Sequence, residues 1–298
     1  MHFSNNEVCV EGILQEVELI TGNDKNNKPF IRGHVIVNVD QSYAGNDEHE
    51  EVKVSFYSGK YTNDGRDNPA YKSIEGLANY KRVSVDGDMA DGIRLTRGTI
   101  SEYAFKPQGG DSVVTGWQIN NSFFTKVPSV NVKPQAVFKN EIFIREIADE
   151  VDNNGEVTGR LKIVGILVTG YKEVANANVI TYYVEDKQAI DYISKNWSEG
   201  DTVNIGGRVR SCVEMAEAAP KESAGFGDEI AIGGARNRRE LIITTGSPSS
   251  VDEDMSFDED VIRTLMGERM NKINAAASAG TKKASAGSSA AKRSTRGW

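Results

Sequence analysis

The chain has 298 residues with 35 Lys and Arg against 43 Asp and Glu, a formal net charge of −8, and 38% hydrophobic and 26% charged residues. This length suits about two domains, and the polar balance fits a water-exposed protein of which part stays unfolded. The longest apolar runs, such as Ile163 to Val168, are strand-length and exclude a membrane-spanning helix, while Met1 to Glu11 show no export signal, so the cytoplasm is the expected compartment.

Alternating apolar and polar residues mark half-buried strands in both halves. Val8 to Leu19 predicts a long opening strand with a bulge at Gly12, and Gly22 to Lys28 a turn. Strands are predicted over Phe30 to Asp40 and Glu51 to Tyr57, a short helix over Asn68 to Asn79 beginning near Pro69, and a fourth strand over Arg82 to Met89. Thr99 to Phe105 and Trp117 to Phe124 form a closing hairpin. The second half repeats the order: strands over Phe138 to Val151, Arg160 to Tyr171 and Val179 to Glu185, a helix over Lys187 to Trp197, then strands over Thr202 to Cys212 and Arg239 to Thr245. Asp152 to Gly155 is a hairpin turn. The repeat is visible in residues where Arg82 to Met89 reads beside Thr202 to Val209, and Val52 to Phe56 beside Val179 to Tyr183.

Beyond these, Phe257 to Ala277 predicts an amphipathic helix with Val261, Ile262, Leu265, Met266, Met270 and Ile273 on one side. From 275 onward the residues are too poor in apolar bulk to pack, and Lys282, Lys283, Lys292, Arg293 and Arg296 make the predicted disordered tail basic. The predicted divisions are 5–128, 136–247, an acidic segment with the helix over 248–274, and the tail over 275–298.

Three strands, a helix and two strands is the order of the OB-fold, a five-stranded Greek-key barrel with its helix between the third and fourth strands. From about Glu7 to Gly246 the chain resembles the OB-fold single-stranded-DNA-binding proteins, especially the tandem-barrel kind encoded by bacteriophages. The expected fold class is therefore mainly β, with two OB-fold barrels in tandem followed by a short helix and a disordered basic tail. The resemblance implies a single-stranded DNA partner and a setting in replication, recombination or repair.

Binding a single strand without reading its sequence needs cations along the phosphates and exposed rings on which bases stack. In such a barrel these belong on the second and third strands. The first half supplies Phe30, Arg32, Lys53, Tyr57, Lys60, Tyr61, Arg66 and Tyr71. The second supplies Arg160, Lys162, Tyr171, Tyr182, Tyr183, Arg208 and Arg210. Adjacent rings in a strand point to opposite faces, so Phe56 against Tyr57, and Tyr182 against Tyr183, divide between core and surface. Trp117 and Trp197 read as packing. The first half carries the denser mixture and is the expected principal surface.

Catalytic and metal readings find little support. Cys9 and Cys212 lack ligand or disulfide spacing and read as small strand hydrophobes, and His2, His34 and His49 have no partner at zinc spacing. Asp86, Asp88 and Asp91 before Gly92 miss the calcium-loop spacing. Neither a phosphate loop nor a nucleophile with its base is present, so no cofactor and no enzymatic activity are expected. The acidic stretch Val251 to Asp260, with Met255 and Phe257, is similar in composition to the segment by which bacterial single-stranded-DNA-binding proteins recruit replication and repair enzymes, although here it is internal. Alternatively its acids favour the N-terminus of the following helix. Two other readings stay open: a structural or protein-interaction scaffold such as a virion component, and RNA binding.

Overall fold

In this computed structural model, residues 2–40, 50–95, 97–105, 112, 114–152, 154–171, 174–215, 235–249 and 256–286 are described. Strands dominate. The first half comprises β1 (Asn6–Asn23), β2 (Pro29–Asn38), β3 (Glu51–Gly59), α1 (Pro69–Gly76), α2 (Val83–Asp86), β4 (Gly92–Leu95), β5 (Thr99–Phe105), β6 (Val114–Asn120) and β7 (Phe124–Val127). The second comprises β8 (Gln135–Val151), β9 (Val157–Tyr171), β10 (Val174–Val184), α3 (Lys187–Asn196), β11 (Thr202–Met215) and β12 (Ala235–Gly246), and α4 (Glu259–Ala286) follows.

Pairing in the second half runs β8, β9, β10, β12, β11 and back to β8, with β10 and β12 parallel and the other neighbours antiparallel among the described residues. The first half follows the same route: β1, β2, β3, then β6 in parallel, then β5, which returns to β1 through a bridge between Val8 and Gly98. Strands β4 and β7 extend that last hairpin, and β4 pairs β1. The two routes share one irregularity. Register shifts between Leu14 and Glu16 in β1, and between Ile144 and Glu146 in β8. At each place one amide reaches across, Leu14 N–H donating to the Asp91 carbonyl (3.0 Å) and Ile144 N–H to that of Asp201 (2.8 Å).

Counting from these shifts matches the halves residue by residue. Val17, Val35 and Val54 lie side by side in one, Ile147, Ile163 and Tyr182 in the other, all in the main apolar cluster except Ile147, which packs against it. The shift, which turns successive side chains onto new faces, lies one turn of the pleat beyond Gly12, where the bulge was expected; Gly12 instead sits where a Cβ would strike the carbonyl of Asn38.

Three sequence expectations need correction. Arg82 to Met89 is not a strand: it forms α2 and a following 3-10 turn. Asp86 folds back to accept from the Arg82 amide (2.9 Å), Gly87 adopts φ +57°, and Val85 and Met89 are exposed, so the alternation of this segment serves no buried face. The true counterpart of β11 is β4 with β5, Gly92-Ile93 matching Thr202-Val203. The match of Val52 to Phe56 with Val179 to Tyr183 is one residue out, since Val54 and Tyr182 are the equivalent positions. Finally, α4 continues to Ala286, past the expected start of the tail near 275, because Ala and Lys hold a helix without needing an apolar face. Residues 287–298 lie outside the described residues.

The halves are joined as well as similar. Asn6 to Glu11 of β1 pairs antiparallel with Gln135 to Asn140 of β8, and the buried apolar residues of both form one contact network. A second cluster lies outside it: Phe143, Ile166, Val168, Ala175 and Ala177 on the outer face of β8, β9 and β10 receive Phe257, Ile262 and Leu265. No helix among the described residues is long and apolar enough to cross a membrane.

Candidate nucleic-acid interface

On the outer face of β1, β2 and β3, register places Ile20, Arg32 and Tyr57 in one row and Gly22, Phe30 and Gly59 in the next. The Phe30 and Tyr57 rings stack with centroids 5.7 Å apart and planes 28° from parallel, and the Arg32 guanidinium carbon lies 5.7 Å from the Phe30 centroid. Gly22 makes room for this, since a Cβ there would stand 3.1 Å from the Phe30 ring. Tyr57 is 61% exposed. Lys53 stands on the same face, while Lys60 follows β3 with its ammonium 5.8 Å from the Tyr61 ring centroid. Among the described residues Arg32, Lys53 and Lys60 form no ion pair, so their charge faces water. Arg66 instead donates to Asp64 (2.6 Å), and nearby Lys72 pairs with Asp67 (2.9 Å).

The structure removes Tyr71 from this surface. It is buried on the face of α1 that packs on the strands, where Asn68 caps the helix by accepting from the Ala70 amide.

The same rows in the second half hold different chemistry. Arg160 occupies the place of Arg32, Glu150 that of Ile20 and Glu185 that of Tyr57. Arg160 lies 3.2 Å from Glu150, 3.6 Å from Glu185 and 3.1 Å from Glu240. Arg210 donates to Glu185 (2.5 and 2.9 Å), Arg208 to Glu185 (3.3 Å), and Lys162 pairs with Glu146 (2.9 Å). Burial pushes the Glu185 carboxyl up, but the hydrogen-bonded Arg210 with Arg160 and Arg208 outweighs this and holds it below the usual carboxylate range. The four cations expected to meet phosphate are thus neutralised within the chain.

The aromatic expectations divide similarly. Tyr182 is fully buried and its hydroxyl accepts from Asn140 (2.9 Å), with burial raising its pKa, so it cannot meet a base. Tyr183 is half-buried beneath Arg160, whose guanidinium carbon is 4.6 Å from the ring centroid. Burial and the charges of Glu240 and Glu150 raise its pKa. Tyr171 ends β9, with its side chain outside the described residues, as is Met255. Phe257 is buried against the second half, its amide donating to Thr202 (3.0 Å) and its ring 4.9 Å from His2, which corrects its assignment as an exposed partner contact. Trp197 is core, donating to the Ser247 carbonyl (3.0 Å), whereas Trp117 is half-buried under Arg239, 4.6 Å from its ring.

Tyr103 and Phe105 on β5 were not among the residues singled out from sequence. Their rings stack at 6.1 Å and 23°. Their spacing of two in a strand was the available signal, since it puts both on one face.

Fold and site together define a mainly β protein with one strand route used twice, carrying, among the described residues, an open aromatic and cationic face on the first copy only. The chain belongs to the YorF family, whose model matches residues 4–279. No curated protein of similar sequence was found. Among solved structures, the wild-type single-stranded DNA binding protein from Thermus aquaticus superposes with a TM-score of 0.48 and 10% identity, covering 84% of this chain and 96% of that one. A deletion mutant of the Thermus aquaticus protein gives 0.47 and 12% identity over 87% and 100%.

Proposed function

We propose that the protein binds single-stranded DNA without sequence preference, chiefly through the outer face of β1, β2 and β3, and that each strand route is an OB-fold barrel. One observation carries this reading: the stacked Phe30 and Tyr57 stand beside Arg32, Lys53 and Lys60, cations with no carboxylate partner among the described residues. Exposed rings offer bases a sequence-tolerant stacking surface, and unpaired cations release counterions when phosphate arrives. The strand route, with a helix between its third and fourth strands, is the OB-fold order. In this reading the protein acts by occupying and protecting the strand and not by catalysis, which would serve DNA replication, recombination or repair.

The scaffold alternative draws on the acidic net charge and on the amphipathic helix. Ile262 and Leu265 of α4 are already buried against the chain's own sheet, which weighs against it. Anisotropy of a fluorescent oligo-dT strand, titrated at low and high salt with duplex DNA as competitor, tests the proposal. Salt-sensitive binding that duplex displaces poorly is expected. Equal affinity for duplex, or no binding at low salt, would sink it.

A further inference from the structure

The hairpin of β5 and β6 has two faces, and one is fully engaged. Glu102, with a side chain only 7% exposed, accepts from Arg269 of α4 (2.7 Å) and from the Val179 amide of β10 (3.0 Å). The Glu102 amide donates to Asn178 (3.0 Å), and Trp117 opposite it stacks beneath Arg239. The hairpin is therefore clamped to the second half along this side.

Its other side carries the Tyr103 and Phe105 stack. Gly116 lies opposite Tyr103, and a Cβ there would be 2.6 Å from the ring carbon Cζ, so the missing side chain lets the ring lie across the neighbouring strand. Phe105 is 51% exposed. Asn120 pairs with both Ser55 of β3 and Thr99 of β5, and alternation from Thr99 puts Tyr103 and Phe105 on the face that Ser55 shares with Lys53 and Tyr57. The intervening Ser55, Asn120 and Ser101 are uncharged, and Glu51, at the start of β3, is the one carboxylate that this strand carries.

We propose that Tyr103 and Phe105 form a second base-stacking site, holding unpaired bases of the strand whose other end lies on Phe30 and Tyr57. This rests on the proposed single-stranded DNA binding. Continuity of face selects a nucleic-acid strand as occupant: the pair prolongs the cationic aromatic surface, at the opposite end of β3 from Tyr57, since β6 runs parallel to β3 and its start lies toward Glu51. The clamp on the reverse side fixes the rings before the strand arrives, so little ordering is needed on binding.

The test uses the full chain and two fluorescent oligo-dT strands, of about six and about twenty nucleotides, chosen around the site sizes of single OB-folds. Phe105→Ala is expected to weaken the long strand about tenfold and to leave the short one, held by Phe30 and Tyr57, unchanged, while Phe105→Trp retains the wild-type affinities. Because Phe105 is exposed, the alanine variant should melt at the wild-type temperature. An unchanged long-strand affinity, or equal losses for both lengths, overturns the second site while wild-type binding keeps the proposed function intact. Reduced self-association in sedimentation with unaltered DNA affinity overturns it in favour of a protein contact. Absence of wild-type binding to either strand removes the functional reading itself.

Discussion

Arg32 and Arg160 hold the same position in two copies of the same three strands, yet their surroundings are opposite. Arg32 stands between Ile20 and Tyr57 with no carboxylate partner among the described residues, whereas Arg160 stands among Glu150, Glu185 and Glu240. A second row diverges in the reverse sense. Ile13, Asn38 and Glu51 of the first half correspond to Phe143, Ile166 and Val179 of the second, where α4 covers the apolar trio. One framework thus supports an open face and a closed one. The difference lies wholly in outward side chains, which can change without disturbing the alternating inward set that builds the core.

Substitutions at the matched positions break this contrast most directly. Arg160→Ala, by removing the largely buried cation shared among Glu150, Glu185 and Glu240, should lower stability by about 3 kcal/mol in urea melts, whereas Arg32→Ala should change it by less than about 0.5 kcal/mol. Equal effects would mean the second network is not structural. Next in size, Tyr57→Ala should cost about 1–3 kcal/mol of oligo-dT affinity, and Tyr183→Ala none, since that ring is already covered by Arg160. Arg32→Gln should flatten the dependence of log affinity on log salt by about 0.7, the single-strand value for one phosphate contact, with Arg208→Gln leaving the slope unaltered. The smallest effect is on pH. Glu185 titrates lower in the folded chain than in the unfolded one, so its contribution is complete above the usual carboxylate range and disappears as pH falls through the folded value. Glu185→Gln should shrink the acid-induced fall in melting temperature; an unchanged acid profile would show that other carboxylates dominate it.

Most strands and the positions of α1 and α3 were readable because periodicity and turn chemistry are local. Asn68 before Pro69 and Asp186 before Lys187 each accept from an amide in the following turn, as residues of these types do. What sequence did not expose was pairing. The Val-x-Val of Arg82 to Met89 looks like a strand until the Asp86 turn closes it locally, and a one-residue slip between β3 and β10 exchanges inward Tyr182 with outward Tyr183. Counting cations likewise could not separate Arg32 from Arg160, because Glu150, Glu185 and Glu240 come from three distant stretches of chain that meet only in the folded sheet. The expectation that the first half is the principal surface rested on density of residue types, a count that took no account of the ion pairs engaging Arg160, Arg208 and Arg210.

The joint between Asn6 to Glu11 and Gln135 to Asn140 has a temporal consequence. During synthesis the opening segment leaves the ribosome more than a hundred residues before the strand that completes its hydrogen bonds. Until β8 emerges, Asn6 to Glu11 is an unsatisfied edge next to a half-built core, the kind of surface that pairs with another nascent chain. Ribosomes crowded on one message would make that encounter frequent, so slow translation between β7 and β8 should raise the yield of misassembled protein more than a pause placed after β12.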